Sequence, residues 1–436
     1  MKKVFTFAVS LSLFASVYAQ DVKILSCTGQ FPTEYEPQFQ ALGLSGNGRY
    51  VCGAGEGGAV VFVADLQSDE FKWSLIEDEE GGELRHVDDN GVAVGLEYTY
   101  SFGSGELSFN QIPAGYRNVL YEDLTNDGSL IVGSLGGPDG SLAAYNDNGT
   151  GWKLLPIPSD DELMGLAPRF GGVSSAKRIS GDGGVILGFL GSFFMPFLWY
   201  RNDAGEYVPD FFLARYLKLT EADMNDDSKP LVGVSAHYLN ISNNGRYIAI
   251  LGMIGDEGQE QYIPVVYDTV TKEAKFYTEK QEIDMAESGL YPSGISDDGT
   301  FIGCVGVPFF GSIGSFIMKP GQTQAELFND VFPQYYELLG ESDYLGFSVP
   351  TAISADGKKI VGYTFYSEDY NDKSTPALYI SYVISLDADN AVEEISPADP
   401  GLRSIYSIDG RNLSHLQKGL NIVRNADGSV SKILKK

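Results

Sequence analysis

The sequence predicts an all-β fold: a seven-bladed β-propeller of four-stranded antiparallel blades, with a short β module after it. Three observations carry this expectation. A motif of the form Ser-x-(Asp/Asn)-Gly after an aliphatic residue recurs seven times along 436 residues, with Asp88 and Thr125 in place of Ser in two copies. Each copy is followed by short β-rich runs separated by turn residues. Glycine is abundant (52 residues) and aromatics make up 12% of the chain, whereas helical periodicity is scarce.

The first element is a leader. Lys2 and Lys3 precede an apolar stretch from Val4 to Val17, and Val17-Tyr18-Ala19 offers a small-residue cleavage site. Residues 1–19 therefore read as a signal peptide and the chain as exported. No later stretch is long and apolar enough to span a bilayer, so an integral membrane protein is not expected. Loss of the leader would take the net charge from -29 to -31, because it carries two lysines and no acids. That charge argues against nucleic acid and against anionic membrane surfaces, which need clustered cations. Cys27, Cys52 and Cys304 are too few and scattered for a disulfide framework.

The propeller itself occupies residues 20–395. Its seven motifs end at Gly48, Gly91, Gly128, Gly183, Gly245, Gly299 and Gly357. Each begins with an aliphatic residue that ends one strand, as in Leu44-Ser-Gly-Asn-Gly48 and Ile353-Ser-Ala-Asp-Gly357. The glycine accepts the positive φ of a tight turn, and the Ser or Thr hydroxyl can bond nearby amides. A second strand follows and usually ends in glycine, as in Ile131-Val-Gly133 and Ile186-Leu-Gly188. Third strands are expected at Ala59–Ala64, Leu142–Tyr145, Pro196–Tyr200, Ile263–Tyr267, Ser315–Met318 and Pro376–Ile380. Fourth strands fit Lys72–Ile76, Trp152–Leu155, Ala274–Tyr277 and Ala325–Phe328. The second unit carries the weakest third strand, at Tyr98–Phe102. Val22–Cys27 is expected to pair into the last blade and close the ring, since an open last blade would expose a strand edge.

The fourth unit reads Phe170-Gly-Gly-Val-Ser-Ser-Ala-Lys-Arg-Ile-Ser-Gly-Asp-Gly-Gly-Val-Ile-Leu-Gly188, then Pro196-Phe-Leu-Trp199. It resembles the HAF-type extracellular repeats of bacterial secreted proteins. The resemblance covers roughly residues 38–390 and implies an extracellular propeller-like architecture without a settled activity. After Ser396 the character changes. Residues 396–436 carry seven basic and three acidic residues. Ile405-Tyr-Ser-Ile-Asp-Gly-Arg411, Lys418-Gly-Leu-Asn-Ile-Val-Arg424 and the terminal Lys432-Ile-Leu-Lys-Lys436 resemble the C-terminal sorting signal of Bacteroidetes-type type IX secretion substrates. Asn421 stands where that signal usually has Tyr. The resemblance implies an export machinery as partner and delivery to the cell surface or the extracellular space, with the periplasm as the destination if the tail does not function.

No catalytic residue stands out. His86, His237 and His415 lie far apart and have no metal-ligand spacing. Ser174-Ser-Ala-Lys177 matches Ser-x-x-Lys but falls in an expected strand, not at a helix start. No cofactor is identified. The acidic loops at Asp78–Glu80, Asp160–Glu162 and Asp223–Asp227 could take calcium or another ion. The turn glycines are structural, so function is expected on the opposite face, where the long loops gather. Those loops bring aromatics suited to sugars or a protein partner: Phe193, Phe194, Phe309, Phe310, Tyr335, Tyr336, Tyr344, Tyr366 and Tyr370. The leading expectation is a non-enzymatic binding protein for a glycan or protein partner at the cell surface. The alternatives are a polysaccharide hydrolase or lyase using loop carboxylates, and a structural or adhesive surface component. Converging carboxylates in a central pocket would mark the enzyme, and a shallow aromatic platform the binder.

Overall fold

A computed structural model of the chain describes residues 21–25, 39–55, 58–76, 81–138, 140–147, 150–158, 173–191, 195–210, 212, 238–254, 261–278, 281, 289–306, 314–332, 335, 347–366 and 378–386, together with 402–407, 412–413, 419–425 and 430–435 of the tail. The leader, Cys27 and the three acidic clusters lie outside the described residues.

Seven four-stranded antiparallel sheets follow one another along the chain. Strand β1 (Asp21–Ile24) comes first. Blade one holds β2 (Phe39–Leu44), β3 (Tyr50–Gly55), β4 (Val60–Asp65) and β5 (Glu70–Leu75). Blade two holds β6 (His86–Val87), β7 (Val92–Val94), β8 (Tyr98–Ser101) and β9 (Glu106–Phe109). Blade three holds β10 (Val119–Leu124), β11 (Leu130–Gly137), β12 (Gly140–Asp147) and β13 (Gly151–Leu154). Blade four holds β14 (Ser174–Ile179), β15 (Val185–Leu190), β16 (Met195–Arg201) and β17 (Tyr207–Asp210). Blade five holds β18 (Asn240–Ile241), β19 (Tyr247–Ile254), β20 (Gln261–Asp268) and β21 (Glu273–Phe276). Blade six holds β22 (Leu290–Ile295), β23 (Phe301–Val305), β24 (Gly314–Met318) and β25 (Glu326–Leu327), after which α1 (Phe328–Val331) begins.

Blade seven runs β26 (Phe347–Ile353), β27 (Lys359–Tyr366), β28 (Leu378–Ser385) and then β1 as its outermost strand. The first strand of the chain therefore completes the last blade, as expected. Leu25 N–H extends this pairing to Ser381 O at 2.9 Å. Within blades, the middle strands are buried nearly end to end, as at β3 and β4, because blades pack face to face. Phe62, Phe197, Trp199, Phe301 and Phe316 are fully buried. The tail forms a separate four-stranded antiparallel sheet of β29 (Leu402–Ser407), β30 (Asn412–Leu413), β31 (Gly419–Asn425) and β32 (Val430–Lys435), ordered β30-β29-β31-β32. It belongs to a compact unit distinct from residues 22–384.

The recurring motif forms the turn between the first and second strand of every blade. Gly48 N–H donates to Ser45 O at 2.9 Å, and Tyr50 N–H donates to Ser45 Oγ at 2.9 Å. The Ser45 hydroxyl in turn donates to Asn47 Oδ1 at 2.8 Å. The same hydroxyl-to-side-chain bond recurs at Thr125, Ser180, Ser242, Ser296 and Ser354. In blade two Asp88 replaces the Ser, and its carboxylate accepts the Asn90 and Val92 amides at 2.9 and 2.7 Å. Only the glycine of each motif is left-handed, with φ from +69° to +88°.

Candidate functional site

The innermost strands of the blades surround a cavity of about 480 Å³ on the propeller axis. One backbone irregularity determines what lines it. In blades one, three, four, six and seven, the innermost strand carries a β-bulge two residues before its terminal aliphatic, at Leu42, Glu122, Lys177, Ser293 and Thr351. Blade two repeats the arrangement at Arg85, whose N–H donates to Val94 O at 2.9 Å while His86 sits opposite Val94. A bulge puts two consecutive residues opposite one and breaks the in-out alternation. Both residues of each pair therefore line the cavity: Arg85-His86, Glu122-Asp123 and Lys177-Arg178 in three consecutive blades. Across from them stand the small pairs Ser293-Gly294 and Thr351-Ala352, with Leu42-Gly43 beside them.

The glycine after each motif is a consequence of the bulge. A Cβ added at Gly53, Gly133, Gly188 or Gly303 would lie 1.8–2.0 Å from the carbonyl oxygen of the residue two before the bulge (Gln40, Leu120, Ser175 or Tyr291). No side chain fits there. These glycines lie inside their strands, not at the strand ends, which corrects the sequence expectation. In blade five Ile250 takes the corresponding place, β18 pairs with β19 without a register shift, and Leu239 is fully buried away from the cavity.

The charged wall is cross-linked. Arg85 Nε donates to Glu83 Oε1 at 2.6 Å, and Lys177 pairs with Glu122. Asp123 accepts the Leu124 amide on Oδ1 at 2.8 Å and the Ile179 amide on Oδ2 at 3.0 Å. Burial nevertheless dominates and pushes its carboxyl up to about 6. His86 Nδ1 lies 3.3 Å from Asp123 Oδ1. Burial first, then Arg178 and Arg85, hold this imidazole well below its usual range, so it is neutral. Beneath this layer, aliphatic residues such as Leu124, Ile179 and Ile295 ring the cavity.

The turns form its floor. Asp89 N–H donates to Asn126 O, Asn126 N–H to Gly181 O, and Gly181 N–H to Asn243 O, at 2.7–3.0 Å. Asp297 N–H donates to Ala355 O and Ala355 N–H to Gly46 O, at 2.8 and 3.0 Å. Carboxylates close the two remaining junctions: Asp89 Oδ1 accepts from Asn47 N at 2.9 Å and Asp297 Oδ1 from Asn244 N at 2.7 Å. All seven turns are thus joined in one ring of hydrogen bonds. On the axis, a Cβ at Gly46 would lie 2.7 Å from both Asn126 Oδ1 and Asn243 Oδ1, so these two side chains fill the centre.

The aromatics read from the sequence fare differently. Phe193, Phe194, Phe309, Phe310, Tyr336, Tyr344 and Tyr370 lie outside the described residues, and Tyr366 is placed only as the last residue of β27. Tyr335 is buried, not displayed: it is 3% exposed, packs on Phe328 and Tyr382, and hydrogen-bonds Ser348. A tyrosine with a buried partner for its hydroxyl is held in the core like any aromatic. Ser174-Ser-Ala-Lys177 does lie in a strand, β14, and its lysine faces the cavity. The cavity pairs were missed because a bulge depends on the partner strand. Their signal was the dipeptide ending one residue before each aliphatic-Ser step. Among the described residues, no cluster of potential metal ligands occurs.

No family model matches the chain, and no curated protein matches it in sequence. Solved structures do resemble it. An oligogalacturonate lyase from Vibrio parahaemolyticus aligns over 84% of this chain and 97% of its own, with TM-score 0.47 and 11% identity. A puromycin hydrolase aligns over 89% of this chain and 58% of its own, with TM-score 0.48 and 10% identity. A putative TolB from Agrobacterium tumefaciens aligns over 71% and 87%, with TM-score 0.35 and 14% identity. The chain is a seven-bladed β-propeller whose axial cavity is floored by its own repeat turns. Among the described residues, no helix is long and apolar enough to cross a membrane.

Proposed function

We propose that this propeller is a non-enzymatic binding protein that takes part of a glycan into its axial cavity from the loop-bearing face. Its leader and tail would direct it to the cell surface or beyond. One observation carries the reading: three charged bulge pairs on one wall face small residues on the other, above a closed floor. A pocket of this volume suits a ligand of a few rings, and its mixture of cations, carboxylates and Asn240 suits a polyhydroxylated one. The aromatics read from the loop sequences, Tyr335 excepted, would stack on the rest of the chain of sugars.

Converging carboxylates favour a second reading, a hydrolase or lyase. Glu83, Glu122 and Asp123 do line the cavity together. Two of them are occupied by Arg85 and Lys177, and Asp123 is engaged by two backbone amides. Such anchoring supports a wall more than an acid-base pair. A glycan array probed with the full chain tests the proposal. Binding that weakens in Phe193→Ala, Phe194→Ala and Tyr336→Ala is the expected result. An array blank for every glycan, with and without calcium, would sink it, and release of shortened products would favour the second reading.

A further inference from the structure

Resting on the binding reading above, the wall also indicates what the sugar must carry. Three cations line the cavity, and they are not equally engaged. Arg85 is held by Glu83 and Lys177 by Glu122. Arg178 has no ion pair among the described residues; its Nη1 donates to the Lys177 carbonyl at 2.7 Å. Asp123 and Glu122 both lie near enough to act on it electrostatically, yet both Asp123 oxygens accept backbone amides and Glu122 is paired with Lys177. Arg178 is partly buried, and burial is the main influence on it, lowering the pKa of its guanidinium. A guanidinium that has lost water without gaining a direct ion pair is costly, and a planar anion arriving in two-pronged fashion offsets that cost.

Its surroundings limit that anion. The Glu83 and Glu122 carboxylates stand on the same wall and accept hydrogen bonds, so the ligand must bring donors beside its negative group. The facing wall at Ser293, Gly294, Thr351 and Ala352 leaves room for a ring. Tyr238 and Tyr291, with ring centroids 5.3 Å apart, give that side an aromatic flank. A hydroxyl-rich ring bearing one carboxylate meets all of these conditions.

We infer that the cavity selects a sugar acid, its carboxylate seated on Arg178 and its hydroxyls on Glu83 and Glu122. A peptide C-terminus would also bring a carboxylate, but it lacks a comparable set of hydroxyl donors.

Calorimetric titration of the full chain with uronic-acid disaccharides, their neutral counterparts and a tripeptide with a free C-terminus tests this. The acidic sugar should bind tighter than its neutral counterpart. Arg178→Gln should weaken the acidic sugar by about tenfold to a hundredfold, the loss expected for a charge-assisted hydrogen bond, and the neutral sugar by much less, so that the preference for the acid collapses. Arg178→Lys should keep part of the preference, and Lys272→Gln, on the outer part of blade five, should keep all of it. Equal binding of acidic and neutral sugars, or full affinity in Arg178→Gln, overturns the inference while the glycan reading stands. Binding of the peptide and of no sugar overturns both. Thermal melts check that each variant folds, and the preference of the unaltered chain tests the inference even if Arg178→Gln does not fold.

Discussion

Asp65 and Asp123 are both largely withdrawn from water, and their surroundings push them in opposite directions. Arg49 donates to Asp65 at 2.7 and 3.1 Å and, with the Gln67 amide, holds its carboxyl at about 2. Asp123 has no such direct ion pair, and burial raises it to about 6. The signs for stability follow. From its ordinary value of 3.8, Asp65 falls on folding, so the stability it contributes is present above about pH 4 and is lost towards pH 2. Asp123 rises from the same value, so the folded state bears a cost above about pH 6 that disappears towards pH 4. Urea unfolding across pH should therefore show the unaltered chain gaining on Asp123→Asn as pH drops from 7 to 4. Its advantage over Asp65→Asn should stay level above pH 4 and shrink below it. A gap to Asp123→Asn that is constant over that range would contradict the burial argument.

At the scale of the element, each innermost strand and its neighbour form a unit of bulge and glycine. Gly188 meets Ser175 O, and the bulge that causes this approach turns both Lys177 and Arg178 into the cavity. Gly188→Ala should destabilise the chain by more than about 3 kcal/mol, since backbone must move to admit the methyl group. Gly151→Ala is the comparison: φ is +83° but nothing lies within 4 Å, so a cost of about 1 kcal/mol is expected from backbone strain alone. Equal losses in the two variants, measured by denaturant unfolding, would contradict the account.

This unit also marks the limit of what the sequence disclosed. The Ser-x-Asp-Gly turns were legible because their chemistry is local: a hydroxyl, a side-chain acceptor and one left-handed glycine within five residues. The third strands, and the fourth strands of blades one, three, five and six, were legible to within a few residues from short β-rich runs between turn residues; β9 and β17, the fourth strands of blades two and four, were not. The Val-Gly glycines were visible but read as strand ends, because their cause is a carbonyl on another strand. Lys177 entered the sequence reading only as the end of a Ser-x-x-Lys match, and Arg178 not as a site residue, for the same reason. Tyr335 looked exposed because it sits between long loops, where pattern does not report burial.

At the scale of the whole molecule, closure takes two forms. β1 completes the seventh blade, so the two ends of the propeller are tied by main-chain pairing. The seven turns are tied edge to edge in a hydrogen-bonded ring, with Asn126 and Asn243 across the axis. The x of each motif, which is Gly, Asp, Asn or Ala in this chain, decides how each junction of that ring is made: Asp89 and Asp297 by carboxylate, the others by carbonyl. A closed floor makes the cavity blind on the turn side and leaves the loop-bearing face for a ligand. Binding requires the half of the cavity opposite the charged pairs to stay open to the ligand. Ser293→Phe fills that half. Titration of this variant with a glycan bound by the unaltered chain should show binding abolished while a cooperative thermal melt shows the chain still folded, even though the Ser293 hydroxyl's bond to the Pro350 carbonyl is lost; undiminished affinity in the filled cavity would contradict the account.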